Sequence, residues 1–174
     1  MRVDALTLAG WRNYGEQRLT FDESCNVIYG ENAQGKTNLL EAIVYLGCGK
    51  SPRAHGEREL IGFEAQEASL VGSIFSRQRE FVTDIRLYRG KRRRMTVNGV
   101  AAKSAAALSD VLHTVFFSPE DLMLIREGAA ARRRFMDLSL CQLRPRYGEA
   151  LAEYHRLYEH KTRILRDSGD YPQL

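Results

Sequence analysis

A chain of 174 residues that is 44% hydrophobic and carries a net charge of +4 is long enough to bury a core, as one domain or one lobe of a larger one. It has no apolar run of about 18 residues, so no membrane partner is expected, and Met1-Arg2-Val3-Asp4-Ala5-Leu6 contains no signal-peptide core. Cys25, Cys48 and Cys141 form no CxxC pair, which argues against a zinc site or a disulfide framework and suggests a reducing cytoplasm.

Val3 to Leu8 alternates as a strand, Gly10 to Gly15 reads as a turn, and Gln17 to Phe21 as a returning strand. After a turn at Asp22-Glu23-Ser24, the apolar run Cys25 to Tyr29 predicts a short strand leading into Gly30. From Lys36 the period changes: Leu39, Leu40, Ile43, Val44 and Leu46 follow helical spacing, with Gly47 as the expected stop. Lys50 to Leu60 is polar and reads as a loop. Strands are expected near Ser69 to Phe75 and across Phe81 to Leu87, where alternate residues are apolar. Asn98-Gly99 predicts a hairpin turn joining Arg94–Val97 to Val100–Ala102. His113 to Phe117 is β-rich. At Ser118 the pattern turns helical, with Ser118 as N-cap, Pro119 at the first position, and Glu120 and Asp121 in the first turn. Ala129 to Leu143 and Tyr147 to Arg166 read as two helices divided near Arg144-Pro145.

Gly30-Glu31-Asn32-Ala33-Gln34-Gly35-Lys36-Thr37 fits G-x-x-x-x-G-K-[ST] in the strand–loop–helix setting that gives this motif its meaning. Its glycines let the backbone wrap with N–H groups turned inward around phosphate oxygens. The positive end of the following helix faces the same anion. Lys36 is expected to reach the β- and γ-phosphates, and the Thr37 hydroxyl to ligate Mg²⁺. The bland alternative is a glycine-rich turn with an incidental lysine.

Other groupings admit two readings each. Arg12 and Asn13, and Ser51, Arg53, His55 and Arg58, either lean over the phosphates or belong to an ordinary turn and a solvated loop. Glu120 and Asp121 end an apolar run, as Mg²⁺ ligands do, but a capped helix start also accounts for them. Lys91-Arg92-Arg93-Arg94, beside a hairpin tip, is either a contact for a DNA backbone or a solvated face. Arg132-Arg133-Arg134 fans across about 200° of helix, so the three cannot all face one partner. His155 and His160 lack ligand spacing and read as surface residues.

Several of these segments, in the same order, resemble the RecF family of DNA replication and repair proteins. Trp11-Arg12-Asn13-Tyr14 resembles its F/Y-R-N-Y turn, and Gly30 to Ile43 its extended P-loop. Ser51-Pro52-Arg53 sits at its S-x-R. Phe117 to Leu122 matches F-x-P-E-D-L, and Arg132 to Asp137 matches R-R-x-F-L-D. The resemblance runs from about Met1 to Arg166.

It implies an α/β fold: the N-terminal lobe of a P-loop, ABC-type ATPase head akin to SMC proteins, with a mixed sheet around the P-loop helix. Residues 1–117 would form this lobe, and 118–174 would begin a mainly helical subdomain. It makes Arg12, Asn13 and Arg53 nucleotide-side residues, beside ATP and Mg²⁺. It implies an ATP-dependent homodimer that acts with recombination mediator proteins and helps load recombinase on single-stranded and gapped DNA. Ser118 to Asp121 falls where ABC heads carry a glutamine near Mg²⁺, yet no glutamine stands there. No Walker B-like apolar run occurs from Tyr147 to Leu174, so the chain is expected to be the family's N-terminal half and inactive in hydrolysis alone. The alternatives are a stand-alone P-loop kinase and a nucleotide-dependent interaction module.

Overall fold

In the computed structural model, residues 1–119, 121–122, 126 and 128–170 are described. Six strands form one sheet: β1 (Arg2–Trp11), β2 (Tyr14–Thr20), β3 (Glu67–Ser76), β4 (Arg79–Tyr88), β5 (Arg94–Val97) and β6 (Val100–Ala101), in the order β2-β1-β3-β4-β5-β6. Among the described residues four α-helices accompany it: α1 (Lys36–Cys48), α2 (Ala106–Ser109), α3 (Ala129–Leu143) and α4 (Pro145–Asp170). The α/β class is as expected, although every pair in this sheet is antiparallel rather than mixed.

The alternation in β3 and β4 has a direct structural cause. Ala68, Leu70 and Ile74 of β3, and Thr83, Ile85 and Leu87 of β4, lie on one buried face. Most join Leu6 and Leu8 of β1 in a core with Leu39, Ala42, Tyr45 and Leu46 of α1. An amphipathic helix thus covers the apolar face of a twisted sheet, burying the stripe that its spacing encodes. Trp11 closes one end, edge-on to Tyr45 at 5.5 Å, with its indole N–H donating to the Asn38 carbonyl at 3.0 Å. The Asn98-Gly99 turn has positive φ at both residues, 49° and 77°, as a two-residue I′ hairpin requires.

Two expected strands are absent. Cys25–Tyr29 pairs with no strand among the described residues, and Val27 and Tyr29 stand 79% and 88% exposed. Apolar composition makes a segment suitable for a sheet, but a strand exists only where a neighbour takes its N–H and C=O groups. At His113–Phe117 the neighbour is a side chain. Gln142 of α3 accepts from the Thr114 N–H at 2.8 Å and donates to its carbonyl at 3.1 Å, leaving Val115 and Phe117 exposed.

Helix ends also shift. α1 continues through Gly47 to Cys48 and stops at Gly49, whose left-handed backbone (φ 60°) lets its N–H return to the Tyr45 carbonyl. The expected cap at Ser118 is inverted. Asp121 accepts from the Ser118 N–H at 2.6 Å and from its hydroxyl at 3.0 Å, and Pro119, Asp121 and Leu122 form a 3-10 turn rather than an α-helix. Glu120 lies outside the described residues. α3 has its predicted bounds, and α4 starts at Pro145, two positions before the expected Tyr147.

Candidate nucleotide-binding site

Gly30 to Gly35 joins the largely exposed 25–29 segment, whose Ile28 packs on the core, to α1 through left-handed residues at Gly30 (φ 145°), Ala33 (φ 66°) and Gly35 (φ 97°). Backbone of this kind turns successive N–H groups toward one concavity, a fit for an anion. Lys36, the first residue of α1, folds back across it. Its Nζ donates to the carbonyls of Gly30 at 2.7 Å and Glu31 at 2.6 Å, which holds the ammonium over the loop. Thr37 is exposed in the first turn of the helix.

Two arms reach this loop from elsewhere in the chain. The β1–β2 turn brings Asn13, whose Nδ2 donates to the Gln34 carbonyl at 3.2 Å and whose Oδ1 accepts from Asn38 at 2.8 Å. Tyr14 beside it donates its hydroxyl to the Gly35 carbonyl at 3.1 Å. The loop after α1 brings Arg53, which donates to Asn38 Oδ1 at 3.2 Å. Asn38 therefore links the arms, a role its place next to Thr37 did not announce. A Cβ on Gly35 would lie 2.6 Å from both amide atoms of Asn13, on a backbone that L residues rarely adopt. Gly35→Ala is expected to cost about 1–3 kcal/mol from the left-handed backbone alone, with further loss as Asn13 is displaced. Thermal unfolding measures the first effect, and an unchanged midpoint would mean the loop relaxes freely.

Arg12 stands differently from the other expected site residues. Its Nε and Nη2 donate to the two carboxylate oxygens of Glu41 at 2.9 and 2.8 Å, and its Nη1 to the Glu59 carbonyl at 2.8 Å. Glu41, on α1, is fully buried and also accepts from the Ser51 hydroxyl at 2.5 Å. Sequence reading missed it. The available signal was a charged residue among the apolar positions Leu39, Ala42 and Ile43 of a helix that covers a sheet.

The basic run is split by its contacts. Lys91 to Arg93 lie in the β4–β5 connection and Arg94 opens β5, at the end opposite the Asn98-Gly99 turn. Arg93 is an anchor: it donates to the Tyr45 hydroxyl at 2.8 Å and to the Gly49 carbonyl at 2.5 Å, and pairs with Glu57 at 2.7 Å. Burial pushes the Tyr45 phenol up from its ordinary value, so it stays protonated and donates to Glu57 at 3.2 Å. Lys91 lies over the Tyr88 ring at 4.1 Å, and Arg92 and Arg94 are exposed. Arg134 of α3 is likewise structural, donating to the carbonyls of Ser51, Pro52 and Ala54 at 3.1–3.3 Å.

A family model described as an AAA domain matches residues 5–137. The chain belongs to that family. Within it, the similarity is to RecF: the DNA replication and repair protein RecF of Agathobacter rectalis is 38% identical over 174 residues, which is 100% of this chain and 48% of that protein. The RecF-like chain thus spans about half the length of the curated relatives it matches. A structure of the recombination mediator protein RecF with ATP, in the RecFOR pathway, superposes with a TM-score of 0.88 at 32% identity, covering 95% of this chain and 44% of that one. A structure from work on SMC ATPases, at 23% identity, covers 78% of this chain and 98% of its own with a TM-score of 0.63, which shows the shared fold. Among the described residues, no helix is long and apolar enough to cross a membrane.

Proposed function

We propose that the chain binds ATP with Mg²⁺ at Gly30–Thr37, as the nucleotide-binding part of a protein of DNA replication and recombinational repair. One observation carries this reading: Asn13 and Arg53, far apart in sequence, meet at Asn38 on the rim of a loop already crossed by Lys36. The RecF–ATP superposition supports the same ligand. In this reading the backbone of residues 30–35 and Lys36 bind the triphosphate, Thr37 holds Mg²⁺, and Asn13 and Arg53 complete the rim. Arg12 acts one step back, through Glu41. Bound Mg²⁺ would offset charge on the phosphate oxygens. Calorimetric titration with Mg²⁺–ATP, comparing the chain with Lys36→Ala, is the test.

The similarity to RecF supports wider proposals as well: single-stranded and gapped DNA and recombination mediator proteins as partners, an ATP-dependent homodimer, and a lobe over residues 1–117 followed by the start of a helical subdomain in 118–174. For DNA contact the basic connection is read by its contacts rather than its composition. Lys91, Arg92 and Arg94 are the candidate phosphate-binding cations, and Arg93 is a structural anchor. Neutralising those three is expected to flatten the salt dependence of binding to a gapped duplex by about 0.9 in log–log slope for each DNA phosphate left without its cation. Fluorescence anisotropy over a salt series measures it, and an unchanged slope would assign the run to a solvated loop.

A further inference from the structure

We infer that Glu41 is the residue that positions both polar arms of the nucleotide site, an inference resting on the reading of Gly30–Thr37 as that site. Its carboxylate is fully buried in α1, and three donors from two other segments converge on it. On one side Arg12 chelates it with two nitrogens at 2.8 and 2.9 Å. Arg12 occupies a left-handed turn (φ 51°), and the next residue is Asn13, which grips Gln34 and Asn38. On the other side Ser51 donates its hydroxyl to Glu41 at 2.5 Å, while the same oxygen accepts from the N–H groups of Arg53 and Ala54 at 2.9 and 2.7 Å. That oxygen fixes the turn from which Arg53 reaches Asn38.

A single anion thus sets where Asn13 and Arg53 stand relative to the P-loop, while its own hydrogen bonds go to Arg12 and Ser51. Its negative charge is part of the design. A neutral amide of the same size would turn its NH2 toward Arg12 Nε, or, flipped, toward Arg12 Nη2 and the Ser51 hydroxyl, so a donor faces a donor and at least one bond to Arg12 is lost. The carboxylate accepts from all three.

The test is a double-mutant cycle on the whole chain, read as Mg²⁺–ATP affinity alongside thermal unfolding. Glu41→Gln is expected to weaken binding about tenfold, the order expected when a charge-assisted bond that holds the Arg12 arm is lost. In an Asn13→Ala/Arg53→Ala background the same change should weaken it by less than about twofold, because the groups it positions are gone. A residue that only stabilises the fold would lower the unfolding midpoint in both backgrounds and weaken binding equally in both, and that outcome overturns the inference. So does Glu41→Gln at full affinity while Lys36→Ala is impaired, a result that leaves the P-loop reading intact. If Lys36→Ala binds normally, the P-loop reading falls and this inference with it. Should Glu41→Gln fail to fold, Ser51→Ala cuts only the link to Arg53. It is expected to weaken binding as much as Arg53→Ala and to add nothing to it, and an additive effect rejects the role.

Discussion

Lys36→Ala is expected to weaken Mg²⁺–ATP binding by roughly tenfold to more than a hundredfold. A charge-assisted contact to a phosphate contributes about 1.5–3 kcal/mol, and each 1.4 kcal/mol is a factor of about ten in affinity. The structure supplies a reason for the effect to be direct. Lys36 Nζ already sits over the loop, held by the carbonyls of Gly30 and Glu31, so little reorganisation separates that position from a bound phosphate. Its removal should leave the fold intact, since the lysine head group has no other partner than those two exposed bonds among the described residues. The signature is therefore a fall in affinity with the unfolding midpoint unchanged. Equal affinities would remove Gly30–Thr37 as the site. A fall in both quantities would instead make Lys36 part of the scaffold.

Arg12→Ala is expected to show the reverse balance, a stability loss first and a binding loss in consequence. It strands the Glu41 carboxylate in the core with Ser51 as its one remaining donor among the described residues. Breaking a buried ion pair from one side costs about 3–5 kcal/mol, because an uncompensated charge is left in a low-dielectric place. Arg12 is 20% exposed, so water relieves part of that cost, which puts the expectation near the lower end, about 3 kcal/mol. For a chain of this size such a loss lowers the midpoint by about 6–12 °C. Arg12→Ala combined with Glu41→Leu removes both charges and should recover much of the stability, since an apolar replacement of a buried pair is often neutral. If the double variant is no more stable than Arg12→Ala, the pair is not the source of the loss. Nucleotide affinity is then expected to stay low in the double variant, because Asn13 and Arg53 remain unpositioned.

The extent to which the fold was legible follows from how local each feature is. Strands β3 and β4 could be read from their alternation because one face of each is buried in the core that α1 shares, and burial imposes a period of two. The Asn98-Gly99 turn was legible because its backbone needs positive φ at two adjacent residues, which few residue pairs tolerate. Cys25–Tyr29 and His113–Phe117 were misread because their composition suits a strand but their neighbours are not encoded nearby. The Thr114 backbone bonds Gln142, 28 residues away.

The candidate site divides along the same line. The sequence alone marked Gly30 to Thr37 as the candidate, since a loop of this kind is made by contiguous residues, glycines and a lysine written in order. It also marked Asn13 and Arg53, through the family resemblance rather than through pattern. Only the tertiary structure decided which cations hold the protein together. Arg12 reaches Glu41 over 29 positions, Arg93 reaches Tyr45 over 48, and Arg134 reaches Ser51 over 83. A guanidinium has the same charge and donors in either role, so its sequence neighbours carry no information about its partner. What separates an anchor from a binding residue is whether a buried acceptor lies within reach after folding. That acceptor is placed by the packing of α1 on the sheet, a contact between segments that no local pattern records.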